Sequence, residues 1–123
     1  MFTFVRNRCS RSPEYADTVG EPEVRVQNGD VTFDEEVDRI YDSTSSTVLM
    51  DLISGRTVLI EKSGSTSTVV WNPWQEKAAA LGDLPDDDYR RFCCIEAAIS
   101  NDSAETVLPE CSHVLMTRIG VKK

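Results

Sequence analysis

The sequence predicts a mainly β domain of antiparallel strands, a sandwich or a barrel. Three observations carry that prediction. Short apolar runs alternate with polar residues at period two. Turn signals rich in Gly, Asn, Asp and Ser separate them. A single stretch, 74–81, has helix-forming composition. At 123 residues the chain has room for one ordinary domain.

Residues 1–13 carry Arg6, Arg8 and Arg11 and no acid, and read as a basic N-terminal segment without regular structure. A short basic, acid-free start can belong to an organelle transit peptide, but this one is very short and has no secretory apolar core. A ragged or artificial terminus is the simpler reading. From Glu23 onward strands dominate. Val24 and Val26 alternate with polar neighbours, Asn28-Gly29-Asp30 is a turn, and Val31-Thr32-Phe33 resumes a strand. In Val37-Asp38-Arg39-Ile40-Tyr41, alternation places Val37, Arg39 and Tyr41 on one face and Asp38 and Ile40 on the other.

Thr47 to Leu52 and Thr57 to Lys62 form a hairpin about Ser54-Gly55-Arg56. A second turn, Ser63 to Ser67, leads into Thr68 to Trp71. Trp74 to Leu81 predicts a helix with Pro73 near its start and Gly82 as its stop. Asp86 to Arg91 predicts one further helical turn, with acids at its N-terminal end. Phe92 to Ile99 reads as a buried strand, followed by a turn at Asn101-Asp102-Ser103. Val107-Leu108 and Val114 to Ile119 read as two closing strands separated by Pro109.

Composition narrows the function. Hydrophobic residues make up 40%, charged residues 28%, and the net charge is -8 with a pI near 4.6. Nucleic acid is disfavoured as a partner, because phosphate binding needs clustered Lys and Arg. An anionic membrane surface is disfavoured for the same reason. No run approaches the roughly 20 apolar residues of a membrane span. The four cysteines, Cys9, Cys93, Cys94 and Cys111, have no CxxC spacing, and adjacent Cys93 and Cys94 would form only a strained bridge. With one histidine there is no zinc pattern, so no metal is expected. Buried reduced thiols are the default and suit the cytoplasm or another reducing compartment.

Two segments stand out for chemistry: Val69-Val70-Trp71-Asn72-Pro73-Trp74 and Cys93-Cys94-Ile95-Glu96-Ala97-Ala98. Alternation places Cys94, Glu96 and Ala98 on one face of a strand. A carboxylate there can act as a general base in a polar pocket, or serve as an edge or ion-paired structural acid. Asp38 can hold sugar hydroxyls or form a surface salt bridge. Trp71 and Trp74 can stack on sugar C–H faces or pack at a strand end. His113 has no acid near it in sequence, and a structural role is the simpler reading. Asp86-Asp87-Asp88 lacks calcium-loop spacing and reads as solvated helix-entry acids.

Glu36-Val37-Asp38-Arg39-Ile40-Tyr41, Val69 to Trp74 and Cys94 to Ala98, in that order, resemble the C-terminal portion of the glucose-6-phosphate 1-epimerases. These D-hexose-6-phosphate mutarotases are related to the aldose 1-epimerases. Tyr15-Ala16-Asp17 and the Leu108-Pro109 turn fit the same order, so the resemblance covers about residues 14–119. It implies an antiparallel β-sandwich of the galactose-mutarotase type, truncated here to its C-terminal part over 14–123. It implies a small-molecule sugar phosphate as substrate, interconversion of its α and β anomers, and no cofactor. By motif position Glu96 matches the general base and Asp38 a carboxylate that binds sugar hydroxyls, while Trp71 and Trp74 are candidate pocket or stacking residues.

The chain departs from the family in length. Members are about twice as long or more, and the absent part carries the catalytic histidine and the phosphate-binding arginines. His113 does not match that histidine, and Arg6, Arg8 and Arg11 do not match those arginines. Activity is therefore expected to be impaired or lost. A non-catalytic carbohydrate-binding or interaction module is the alternative. A third reading, an unrelated β domain, gains ground if Glu96 is exposed and far from Asp38. An uncovered sheet predicts low stability and either self-association or a partner segment.

Overall fold

The computed structural model describes residues 4–7, 13–100 and 103–123. Among these described residues nine strands form two antiparallel sheets. The first sheet has the order β1-β5-β6-β9, from β1 (Phe4–Asn7), β5 (Thr47–Asp51), β6 (Arg56–Ser63) and β9 (Met116–Lys122). The second has the order β3-β2-β4-β7-β8, from β2 (Glu14–Asp17), β3 (Glu23–Val26), β4 (Val37–Asp42), β7 (Ser67–Asn72) and β8 (Cys94–Ala98). One helix, α1 (Trp74–Ala80), and a 3-10 turn, Asp88–Arg90, join β7 to β8.

The sheets pack face to face because alternate residues along their strands are apolar. Val37 and Tyr41 of β4, Val70 of β7 and Tyr15 of β2 meet Leu49 of β5 and Ile60 of β6, with Val31 and Phe33 filling the same core. Each of these side chains is nearly withdrawn from water, which is the main force holding the layers together. The Tyr41 hydroxyl is buried too. It donates to Gln27 Oε1 at 2.6 Å, and burial raises its pKa.

The β5–β6 hairpin turns at Gly55, φ +68°, a left-handed conformation that glycine adopts without steric cost. The Asp51 carboxylate closes that turn, accepting hydrogen bonds from the Ile53 and Ser54 N–H groups, the Ser54 hydroxyl and Arg56. At the β6–β7 turn Lys62 Nζ donates to Ser43 O, Ser65 Oγ and Ser67 O at 2.5, 3.0 and 2.6 Å. Burial pushes the Lys62 pKa down to about 8.

Several expectations need correction. The segment 1–13 is not wholly irregular: Phe4–Asn7 pairs with β5, Phe4 opposite Met50 and Asn7 opposite Thr47. That pairing gives partners to backbone groups of β5 that would otherwise form a bare edge. Arg8, Cys9 and Arg11 lie outside the described residues, as do Asn101 and Asp102 of the expected turn. Val31 to Phe33 makes one isolated bridge rather than a strand, although Val31 and Phe33 both reach the core. Val107-Leu108 is not a strand either. The Leu108 carbonyl accepts the Cys111 N–H at 3.0 Å, and Glu110 at φ +63° completes a turn there. The last strand starts at Met116 rather than Val114. The thiols are less buried than expected: Cys93 and Cys94 are half-buried and Cys111 is exposed, all of them free.

Candidate active site

The candidate site lies on the face of the second sheet that points away from the core. Register fixes it. Asp38 of β4 lies opposite Trp71 of β7, which lies opposite Cys94 of β8. Directly paired residues project to the same face, so these three form one row. The next row on that face is Ile40, Val69 and Glu96. Asp38 and Glu96 thus share a face, two strands and two residues apart, about 12 Å between Cα atoms from ordinary strand spacing. Trp71 and Val69 lie between them.

Glu96 is exposed, not recessed as the apolar character of its strand suggests. The reason is topological: β8 is the edge of its sheet, and its neighbours Ile95 and Ala97, facing the other way, are only half-buried. The Glu96 carboxylate still shapes its surroundings. The Cys94 thiol is pushed up first by burial and then by the Glu96 charge. Asp38 is half-buried, and its backbone is pinned by Thr18, whose N–H and hydroxyl donate to the Asp38 carbonyl at 2.9 and 3.1 Å.

The two tryptophans are positioned by Asn72, a residue that sequence reading passes over as part of a turn. Asn72 is fully buried. Its Nδ2 donates to the carbonyls of Tyr89 at 2.8 Å and Phe92 at 2.7 Å, and its Oδ1 accepts the Trp74 N–H at 2.9 Å. Trp74 is held at φ +59°, an uncommon conformation for a bulky residue. Trp71 packs on Phe92 with ring centroids 6.0 Å apart, and Trp74 meets Tyr89 edge-on at 4.9 Å. One side chain therefore couples the end of β7, the start of α1 and the approach to β8.

Helix α1 brings a cation to the same region. Lys77 forms an ion pair with Glu36, and its pKa is raised by that hydrogen bond, with a smaller contribution from Asp38. The available signal in the sequence was a lysine one helical turn after Trp74. The single histidine is elsewhere. His113 Nε2 bonds Gly64 O at 2.6 Å and Nδ1 lies 3.7 Å from Glu105. Its ring lines a cavity of about 300 Å³ with Ile99, Val107 and Leu115. Asp87 and Asp88 lie near Arg91, at 3.8 and 3.4 Å, as solvated helix-end pairs. Among the described residues no group of three or more His, Cys, Asp or Glu side chains is disposed to hold a metal ion, and no helix is long and apolar enough to cross a membrane.

Comparison with known proteins places this geometry in a family. The aldose 1-epimerase family pattern matches residues 6–119. A protein from Cenchrus ciliaris named "Putative glucose-6-phosphate 1-epimerase" is 34% identical over 96 residues, 76% of this chain and 29% of its own length. An Escherichia coli protein of the same name is 26% identical over 102 residues, 81% of this chain and 35% of its own. The crystal structure of a Salmonella typhimurium protein described as a "putative mutarotase (YeaD)" superposes with a TM-score of 0.80 at 27% identity. That match covers 91% of this chain and 38% of the solved one. The chain spans about a third of the length of the relatives it matches. The reading as an unrelated β domain is thereby overturned, although Glu96 is exposed. The sandwich is of the mutarotase type, and the chain belongs to the aldose 1-epimerase family.

Proposed function

We propose that this chain carries the carboxylate side of a hexose-6-phosphate 1-epimerase site, with glucose 6-phosphate or a similar sugar phosphate as substrate. The observation that supports it best is the common face shared by Asp38 and Glu96 around Trp71. Asp38 accepts hydrogen bonds from sugar hydroxyls, and Trp71 offers a ring face to the sugar C–H surface. Trp74, at the start of α1, is a second candidate for stacking on the sugar. Glu96 removes the proton from the C1 hydroxyl. The C1–ring-oxygen bond breaks, its electron pair goes to the ring oxygen, and an acid protonates that oxygen. Rotation about C1–C2 and the reverse steps give the other anomer. The balance needs only proton transfer. Free thiols at Cys93, Cys94 and Cys111 support a cytoplasmic setting.

No described residue is assigned as the ring-opening acid. His113, the one imidazole, is engaged with Gly64 O and Glu105. This favours a second reading for the chain by itself: a sugar-phosphate-binding module with impaired or no turnover. One experiment separates the two. Freshly dissolved α-glucose 6-phosphate is mixed with the protein and anomerisation is followed by NMR. Acceleration that falls at least about 100-fold in Glu96→Gln supports the epimerase, since a general base contributes that much or more. Substrate-dependent shifts without acceleration support the binding module. Neither acceleration nor binding rejects both.

A further inference from the structure

Helix α1 places an ammonium beside the carboxylate that the sugar reading uses. Val37 of β4 lies opposite Asn72 at the end of β7, so the chain entering β4 meets the chain entering α1. Glu36 comes just before Val37 and Asp38 just after it, which sets their Cα atoms about 7 Å apart along extended backbone. Lys77 reaches across this junction and pairs with Glu36. Its pKa is raised first by the Glu36 hydrogen bond and also by the charges of Glu36 and Asp38. The start of the helix is fixed, because Asn72 Oδ1 accepts the Trp74 N–H at 2.9 Å and Ala78 is fully buried. The Lys77 side chain is itself 55% exposed, so its ammonium has protons left for a ligand.

From this juxtaposition we infer that Lys77 is a further sugar-binding residue, donating a hydrogen bond to the same hydroxyl that donates to Asp38. It rests on the sugar-binding reading of the Asp38 face. A hydroxyl has one proton to give and lone pairs to receive. An ionised carboxylate only accepts, so Asp38 alone leaves the hydroxyl oxygen without a donor. An ammonium only donates, and completes the set. The ion-pair partner of Lys77 is Glu36 rather than Asp38, so the ammonium and the Asp38 carboxylate flank a position for one hydroxyl instead of closing on each other. Trp71, opposite Asp38 in the ladder, lies beside that position. All of these groups lie among the described residues, and their juxtaposition does not depend on what else borders this face.

NMR titration with unphosphorylated glucose tests the donor apart from the phosphate. Lys77→Met is expected to raise the Kd for glucose about tenfold, and Asp38→Ala by a similar factor, since each removes a charged hydrogen-bonding partner. The double variant is expected to lose little more than either single one, because both residues serve one hydroxyl. Glu36→Gln, which removes the ion pair and keeps the ammonium, is expected to stay within about twofold of the wild type. In a panel of monodeoxyglucoses, the sugar lacking the shared hydroxyl is expected to bind the wild type, Lys77→Met and Asp38→Ala alike. Unchanged glucose binding in Lys77→Met overturns the inference and leaves the sugar-binding reading standing. So does a loss confined to glucose 6-phosphate, which would assign Lys77 to the phosphate. Equal losses in Glu36→Gln and Lys77→Met, or sensitivity of the two variants to different deoxy sugars, also overturn it. A wild-type chain that binds neither glucose nor glucose 6-phosphate removes both the inference and the reading beneath it.

Discussion

Asn72 shows how much one side chain can organise. Both of its amide protons and its carbonyl oxygen are used inside a fully buried site. Asn72→Ala orphans one buried and one part-buried carbonyl and frees Trp74 from its strained conformation. The expected cost is about 3 kcal/mol, read as a lower urea midpoint with unchanged slope. Tryptophan fluorescence should change with it, since Trp71 and Trp74 both lose their anchoring. Sequence reading saw a turn at Asn72-Pro73 and little more, because the two carbonyl partners lie 17 and 20 residues away. Local pattern carries no record of such a bond. The strand positions of Asp38 and Glu96 were legible because both lie in alternating segments. The exposure of Glu96 was not, since an edge strand and a central strand can have the same apolar composition.

At the level of elements, alternation and turn chemistry located most strands, and helix propensity located α1. The two expected strands that did not form share one cause. Val31 to Phe33 and Val107-Leu108 have strand-like composition but no neighbouring ladder, and a strand exists only if another strand accepts its hydrogen bonds. The β5–β6 hairpin yields a pH prediction. The Ser54 hydroxyl, then Arg56 and the Ser54 N–H, hold the Asp51 carboxyl well below its usual range. A carboxylate whose folded pKa is depressed contributes stability above its unfolded pKa, near 3.8. That contribution is lost as pH falls from there toward the folded value. Thermal unfolding followed from pH 6 downward to about pH 2 should show a decline that Asp51→Asn makes shallower, the variant being less stable at pH 6.

Over the whole molecule, charge opposes the proposed ligand. A chain of net charge -8 repels a sugar phosphate dianion at long range. Calorimetric titration should therefore show glucose 6-phosphate binding more tightly as salt rises toward about 0.15 M, where screening acts within about 8 Å. Binding of unphosphorylated glucose should hardly change. Weaker glucose 6-phosphate binding with added salt would instead reveal a local cationic grip, with Lys77 the first group to remove.

The adjacent thiols carry a consequence of their own. Cys93 packs against the core and its thiol is pushed up to about 12, while Cys94 stands in the row with Asp38 and Trp71. Two neighbouring sulfurs thus report on opposite sides of one sheet. A molecule resting on the carboxylate face shields Cys94 from alkylation and leaves Cys93 governed by core opening. Ligand occupancy and breathing of the fold can then be told apart within a single peptide, without introducing a further cysteine.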